Sequence, residues 1–490
     1  MKKLFFLLLL VGGFVFAQTV PPTTALWAPS GSLCDVGANA AATLLVPYFE
    51  VDSQNNLGLD TLIGIVNIGD RRTVAHVTVW NVDSLPVLDF NIYLTPFDVV
   101  TFSMRDILVN GNLPNNACPS ATYTFTAGWV DCNGDGRYFG QDSALIQQCL
   151  RPYGVFNDIA CYTTLGGAFL DAIRCFLSIG SYDGWNINYV GYMTIDNSLT
   201  CSGAYPWYQC YYPMIFDVDA AVAGVDHGVM ENANVLIGDI IYYDYANMQS
   251  DGTPAVHIEA FGEANTCTGH TWGMTPADLI NAGVITFYNR YNIWFAGTAN
   301  RDLREPLPVW WAFRYIGNAA FDGGTWVDVW RSHYDGWGPY AFSGPCQWPG
   351  MGGVYTLLYD YIHGLYGLHR PDLVAYDEEE NTLGGGTGPS GPWGAAGFDA
   401  LFLEAQRTQV SEANTFPLPD ESGWIAVAFD TDSAHDLGFG YGNSWDQSWV
   451  NVRYSALNRY TVGFSASAWL NGCSLQWNAG IGGFVPVPTH

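Results

Sequence analysis

The sequence predicts a mainly β fold, a β-sandwich interrupted by a cysteine-rich insertion. Three observations predict it. Between 44 and 108, β-branched and aromatic runs recur at roughly ten-residue spacing with turn residues between them, the pattern of a sandwich. Seven of the eleven cysteines, Cys118, Cys132, Cys149, Cys161, Cys175, Cys201 and Cys210, crowd into the stretch that follows. Beyond it, strand-like runs rich in Trp, Tyr and Gly resume and continue to the C-terminal end.

In chain order, residues 1–17 read as a secretory signal peptide. Met1-Lys-Lys precedes an apolar run over 4–16, with Val15 and Ala17 at the small-residue positions before Gln18. No other long apolar run occurs, so no transmembrane segment is expected in the mature chain, and its destination is secreted, extracellular or cell-surface. The N-terminal β-sandwich spans 18–115. Its strands lie over 61–68, 73–82, 87–94 and 99–104, with Asn67-Ile-Gly-Asp70 and Thr95-Pro-Phe-Asp98 as turns. In 73–82, Val74, His76, Thr78 and Trp80 face one way and Ala75, Val77 and Val79 the other. Both faces are partly apolar, which places this strand inside a sheet.

The span 116–212 is the cysteine-rich insertion. The chain is expected in an oxidising compartment, where such crowding implies disulfides, and the odd total leaves one thiol free or paired between chains. Zinc ligation is disfavoured because no C-x-x-C pair occurs. Within it lies Asp131-Cys-Asn-Gly-Asp-Gly-Arg-Tyr-Phe-Gly-Gln-Asp142. Calcium takes six to eight oxygens, and a twelve-residue loop supplies them from fixed positions. Asp131, Asn133, Asp135, the Arg137 carbonyl, a water near Phe139 and Asp142 occupy those positions, and Gly136 sits where the loop turns sharply. Leu145, Ile146, Cys149 and Leu150 then share one side of a short helix. Calcium is therefore the expected bound ion.

The remaining β-rich region, 213–380, contains strand-like runs near 235–243, 255–260, 284–295, 308–316 and 325–331. Together with 193–196, the first of these read as completing the first sandwich. A Gly-rich loop over 381–395 follows the acidic run Asp377-Glu-Glu-Glu380, and a C-terminal β-rich region over 396–490 includes 423–429 and 460–466. No internal repeat suggests a solenoid or propeller.

Three resemblances follow from these residues. DCNGDGRYFGQDSALIQQCL, with a final Asp in place of Glu, resembles one repeat of a dockerin. Dockerins carry two such repeats and no second is written downstream, so the resemblance implies calcium ligands alone. TLIGIVNIGDRRTVAHVTVWNVDSLPVLDFNIYLTPFDVVTFSM resembles the immunoglobulin-like modules of bacterial surfaces, which implies a spacer, fibre subunit or adhesive scaffold. LLVPYFEVD, REPLPVWWAFRY and YDEEEN resemble an uncharacterised group of exported bacterial proteins, which implies a compartment and no mechanism.

The formal net charge of −29 excludes nucleic acid as the expected partner, because phosphate binding needs clustered Lys and Arg. There is no G-x-S-x-G, H-E-x-x-H or phosphate-loop motif. His76 and His257 sit in strand runs, where a core imidazole is the simpler reading. Glu305, in Arg304-Glu-Pro-Leu-Pro before Trp310-Trp311, is the one catalytic candidate, with Glu259 or Asp328 as the second carboxylate that glycoside hydrolysis requires. Its competing reading is an ion pair with Arg301 or Arg304. Trp310, Trp311, Trp326, Trp330 and Trp337 either line a sugar groove or fill the space between sheets. The expected function is that of a secreted, calcium-binding, disulfide-stabilised protein with a structural or adhesive role at the cell surface. Its partners would be further copies of itself or a surface or glycan ligand. The alternative is a carbohydrate-binding protein or glycoside hydrolase.

Overall fold

A computed structural model describes residues 39–70, 73–82, 86–114, 165, 167–181, 184–185, 188–198, 233–260, 287, 304–305, 307–308, 310–316, 321–331, 342–343, 356–357, 372–377, 404–410, 422–428, 447–457, 459–468, 475–478 and 483–486. The chain opens with β1 (Thr43–Asp52), β2 (Leu59–Asn67), β3 (Thr73–Trp80), β4 (Pro86–Leu94), β5 (Val99–Ser103) and helix α1 (Met104–Leu108). After residues 115–164 come helix α2 (Gly167–Ser178), the short β6 (Ile179–Ser181) and β7 (Gly184–Trp185), then β8 (Asn188–Ser198), β9 (Leu236–Asp244), β10 (Gln249–Pro254) and β11 (Val256–Ile258). The second half holds β12 (Trp310–Ile316), β13 (Gly324–Arg331), β14 (Phe342–Ser343), β15 (Thr356–Leu357), β16 (Asp372–Asp377), β17 (Ala405–Val410), β18 (Ser422–Ala428), β19 (Ser448–Ala456), β20 (Tyr460–Ser465), β21 (Ser467–Ala468), β22 (Leu475–Asn478) and β23 (Gly483–Pro486).

The fold is mainly β, as expected, and its sheets are antiparallel. A five-stranded sheet, β11-β1-β8-β3-β4, faces a four-stranded one, β10-β9-β2-β5. Phe90 and Phe102 meet edge to face between them, and the Tyr242 hydroxyl of one donates to the Tyr48 carbonyl of the other at 2.7 Å. A second pair, β16-β18-β12-β21 and β17-β13-β19-β20, follows in sequence. One continuous apolar core runs through both pairs.

β3 lies between β8 and β4, and both its faces are buried. Val77 and Val79 are in the core, while Trp80 stacks on Tyr192 with ring centroids 5.8 Å apart. In β1 the register slips between Val46 and Phe49, where Pro47 has no N–H to give the ladder.

Residues 188–198 fall within the span whose composition is cysteine-rich, yet they form β8, paired with β1 on one side and β3 on the other. β8 and β9 both pair with strands from before residue 115. The Gly-rich loop at 381–395 and most of 284–295 lie outside the described residues.

α1 is short because local bonds define both its ends. Ser103 caps it by accepting the Asp106 N–H, and the buried Asp60 carboxylate accepts the Arg105 N–H at 3.0 Å. Gly111 closes it at a φ of 74°, a left-handed conformation that glycine adopts without steric cost. α2 buries Leu170, Ile173, Phe176 and Leu177, the one-sided spacing of an amphipathic helix. Among the described residues no helix is long and apolar enough to cross a membrane.

Candidate functional site

Asp131, Asn133, Asp135, Gly136, Arg137 and Asp142 all lie outside the described residues. The structure does show where the chain that carries them leaves and rejoins the sheets. It leaves after α1 and returns at Leu165, whose N–H donates to the Gly111 carbonyl at 2.6 Å. Arg174 on α2 fastens this gateway by donating from Nε to the Leu108 carbonyl at 2.7 Å and from a terminal nitrogen to the Val109 carbonyl at 2.5 Å. Those carbonyls belong to the last turn of α1, where acceptors lack helical partners and favour a cation. Leu165, Arg174 and the last turn of α1 therefore meet at one junction.

Glu305 is 2 % exposed. Its N–H donates to the Glu259 carbonyl at 2.9 Å, and its Oε1 accepts the Glu259 N–H at 3.1 Å. Glu305 is thus bonded to the backbone of Glu259, and both residues are buried. Arg304, its neighbour, lies 3.6 Å from the Asp196 carboxylate and bonds Thr43 Oγ1, tying the entry to the second pair of sheets to β8 and β1.

Asp328 belongs to a different cluster. Alternation along β13 puts Trp326, Asp328 and Trp330 on one face. The β17 register sets Arg407 directly opposite Asp328, and the β19 register sets Arg453 opposite Trp326. Arg407 grips Asp328 with two bonds, Nε to Oδ1 at 2.6 Å and a terminal nitrogen to Oδ2 at 3.1 Å. Its remaining terminal nitrogen reaches Glu50 on β1 at 3.0 Å. Arg453 lies 4.0 Å from Asp328 and donates from Nε to Asp251 on β10 at 2.6 Å.

The first pair of sheets supplies a bed for these cations. The Arg407 guanidinium stands 4.6 Å from the Tyr48 ring and 5.1 Å from the Tyr242 ring, and that of Arg453 stands 4.6 Å from Tyr242. Glu50 is completed by Asn188 at 2.6 Å and by the Tyr48 hydroxyl at 3.0 Å. Burial and the Glu50 charge raise the Tyr48 pKa well above its ordinary value, and burial with Asp328 does the same for Tyr242. For Arg407, burial opposes the charge, but the Asp328 and Glu50 carboxylates outweigh it and the guanidinium is held protonated. Chemically the cluster is a fixed array of two cations, three carboxylates and two neutral phenols.

Sequence reasoning missed Arg407 and Arg453. The available signal was a lone arginine inside each of two strand runs, AQRTQV and WVNVRYSA, in a chain with only 17 basic residues. For the tryptophans, Trp311 and Trp330 are buried and fill the core, and Trp326 is partly buried with its Nε1 on the Gly323 carbonyl. The Trp310 side chain and Trp337 lie outside the described residues. His76 and His257 are both buried in sheets.

Among the described residues, no group of three or more His, Cys, Asp or Glu side chains is arranged to hold a metal ion. Compared with protein-family models, with curated proteins and with solved structures, the chain matches none.

Proposed function

We propose that this chain is an exported, calcium-binding, disulfide-stabilised protein built from immunoglobulin-like β-sandwich modules, with a structural or adhesive role at the cell surface. The observation that carries the reading is the buried arginine–carboxylate–tyrosine array. Its charged groups are spent on one another between two pairs of antiparallel sheets, which suits a rigid, load-bearing body. In this reading Asp131, Asn133, Asp135 and Asp142 give side-chain oxygens to calcium and Arg137 gives its carbonyl. Millimolar extracellular calcium fills even a weak site of this type. The gateway at Gly111, Leu165 and Arg174 supports a stabilising role for the ion, because order in the loop segment would pass directly to α1 and α2. Cys175 on α2 is disulfide-bonded, which supports covalent bracing of the same region.

Electron microscopy of the mature protein, in millimolar calcium and after chelation, tests the role. Ordered assemblies that dissolve on chelation are expected. Dispersed particles in both conditions, together with turnover of a glycan panel, would replace this reading with an enzymatic one.

A further inference from the structure

We infer that Asp328 is the positioning residue of a latch that makes the two pairs of sheets open as one unit. The inference rests on how each guanidinium divides its donors. Asp328 shares a sheet with both arginines and is itself 0 % exposed. It occupies the Nε edge of Arg407, which turns the remaining terminal nitrogen toward Glu50 on the other pair. Arg453 lies 4.0 Å from it through one terminal nitrogen and keeps Nε and the other for Asp251, again on the other pair. One carboxylate thus orients two cations, and each cation makes its outward bond across the interface.

The setting makes that orientation matter. An arginine side chain is long and rotamer-rich, and its planar fork repays that entropy only when held in one plane. Asp328 fixes the plane of Arg407 from one side, and Tyr48 and Tyr242 fix it from the other. The two arginine side chains are each only 11 % exposed, Glu50 14 % and Asp251 3 %, so their contacts are shielded from competing water. Other contacts cross the interface away from this cluster: Tyr192 stands edge-on to Trp330 at 5.9 Å and donates to the Glu404 carboxylate at 3.1 Å, and Gln249 reaches Ser455 at 3.5 Å. Removing the Asp328 charge leaves both arginines in place but frees them from their common anchor. The cross-interface bonds then lose their preset geometry while the strands keep their own ladders.

Hydrogen exchange of the full, calcium-loaded chain across a urea series reads this segment by segment. In the wild type, β9 and β10 on one side and β13 and β19 on the other are expected to lose protection together. In Asp328→Asn, β13 and β19 should open at lower urea than β9 and β10, with native far-ultraviolet circular dichroism in water. Should Asp328→Asn fail to fold, Glu50→Gln removes only the cross-interface acceptor and is expected to produce the same split. A general loss of stability would shift all four strands equally. That equal shift in the variants, or an unequal opening already present in the wild type, would overturn the inference.

Discussion

The Tyr243 hydroxyl donates to the Asp60 carboxylate at 2.6 Å, and this bond joins β9 to the base of α1. The same carboxylate accepts from Ser103 Oγ at 2.6 Å and from the N–H groups of Thr61 and Arg105. Burial and the bond to Asp60 push the Tyr243 pKa up to about 12. A phenol whose folded pKa lies above its unfolded value, about 10, stabilises the fold below pH 10 and loses that contribution as pH rises toward 12. Urea midpoints measured from pH 9 to 12 should therefore fall more steeply for the wild type than for Tyr243→Phe; parallel curves would contradict the assignment.

His257 gives the opposite sign at the acid end. Burial lowers its pKa from the ordinary 6.5, against hydrogen bonds to the Gly238 and Asn39 backbone and the charge of Asp239, which raise it. The unfolded chain then binds the proton more readily, so stability is complete above about pH 6.5 and declines as pH falls below it. Between pH 7.5 and 5 the unfolding midpoint should decline less in His257→Phe than in the wild type, as chemical denaturation monitored by tryptophan fluorescence would report.

Removing one partner of a buried ion pair strands the others. Truncating Asp328 to alanine takes from the Arg407 guanidinium the carboxylate that accepts two of its donors in a site of low exposure, and a loss of about 3–5 kcal/mol is expected. Equilibrium denaturation measures it. A change under about 1 kcal/mol, the value of an exposed pair, would mean that solvent reaches the cluster freely.

At the gateway, Gly111 combines a φ of 74° with tight surroundings, since a Cβ there would lie 3.1 Å from Leu170 Cδ2 and 3.2 Å from the Leu165 carbonyl oxygen. Gly111→Ala should cost about 1–2 kcal/mol from the left-handed backbone alone. It should also weaken the Leu165 to Gly111 bond, seen as faster exchange of the Leu165 amide.

The strands of the first sheets were legible because alternation is a local signal. The run from Thr73 to Trp80 writes its two buried faces in plain order, and Trp310–Ile316 and Gly324–Arg331 likewise declare themselves by β-branched and aromatic content. The place of β8 was not legible. Its residues lie among cysteines, and which strand it joins depends on β1 and β3, more than a hundred residues earlier. Partner choice was also what hid the arginine cluster. Asp328 was visible as an acid between two tryptophans, but the cations that engage it come from strands 79 and 125 positions later, a distance across which no sequence period operates. For Glu305 the sequence offered Arg304 as a partner, whereas the described contacts join Glu305 to the Glu259 backbone and Arg304 to Asp196. Adjacent residues of an extended chain point to opposite sides, so these neighbours reach different partners.

We propose that calcium, held by the loop from Asp131 to Asp142, stabilises this β scaffold. Calorimetric unfolding of the mature wild type and of Asp135→Ala, each in millimolar calcium and in chelator, tests it most directly. The account predicts that calcium raises the wild-type melting temperature, that it does not raise that of Asp135→Ala, and that the two proteins melt alike in chelator. Equal melting of both proteins in calcium would contradict it.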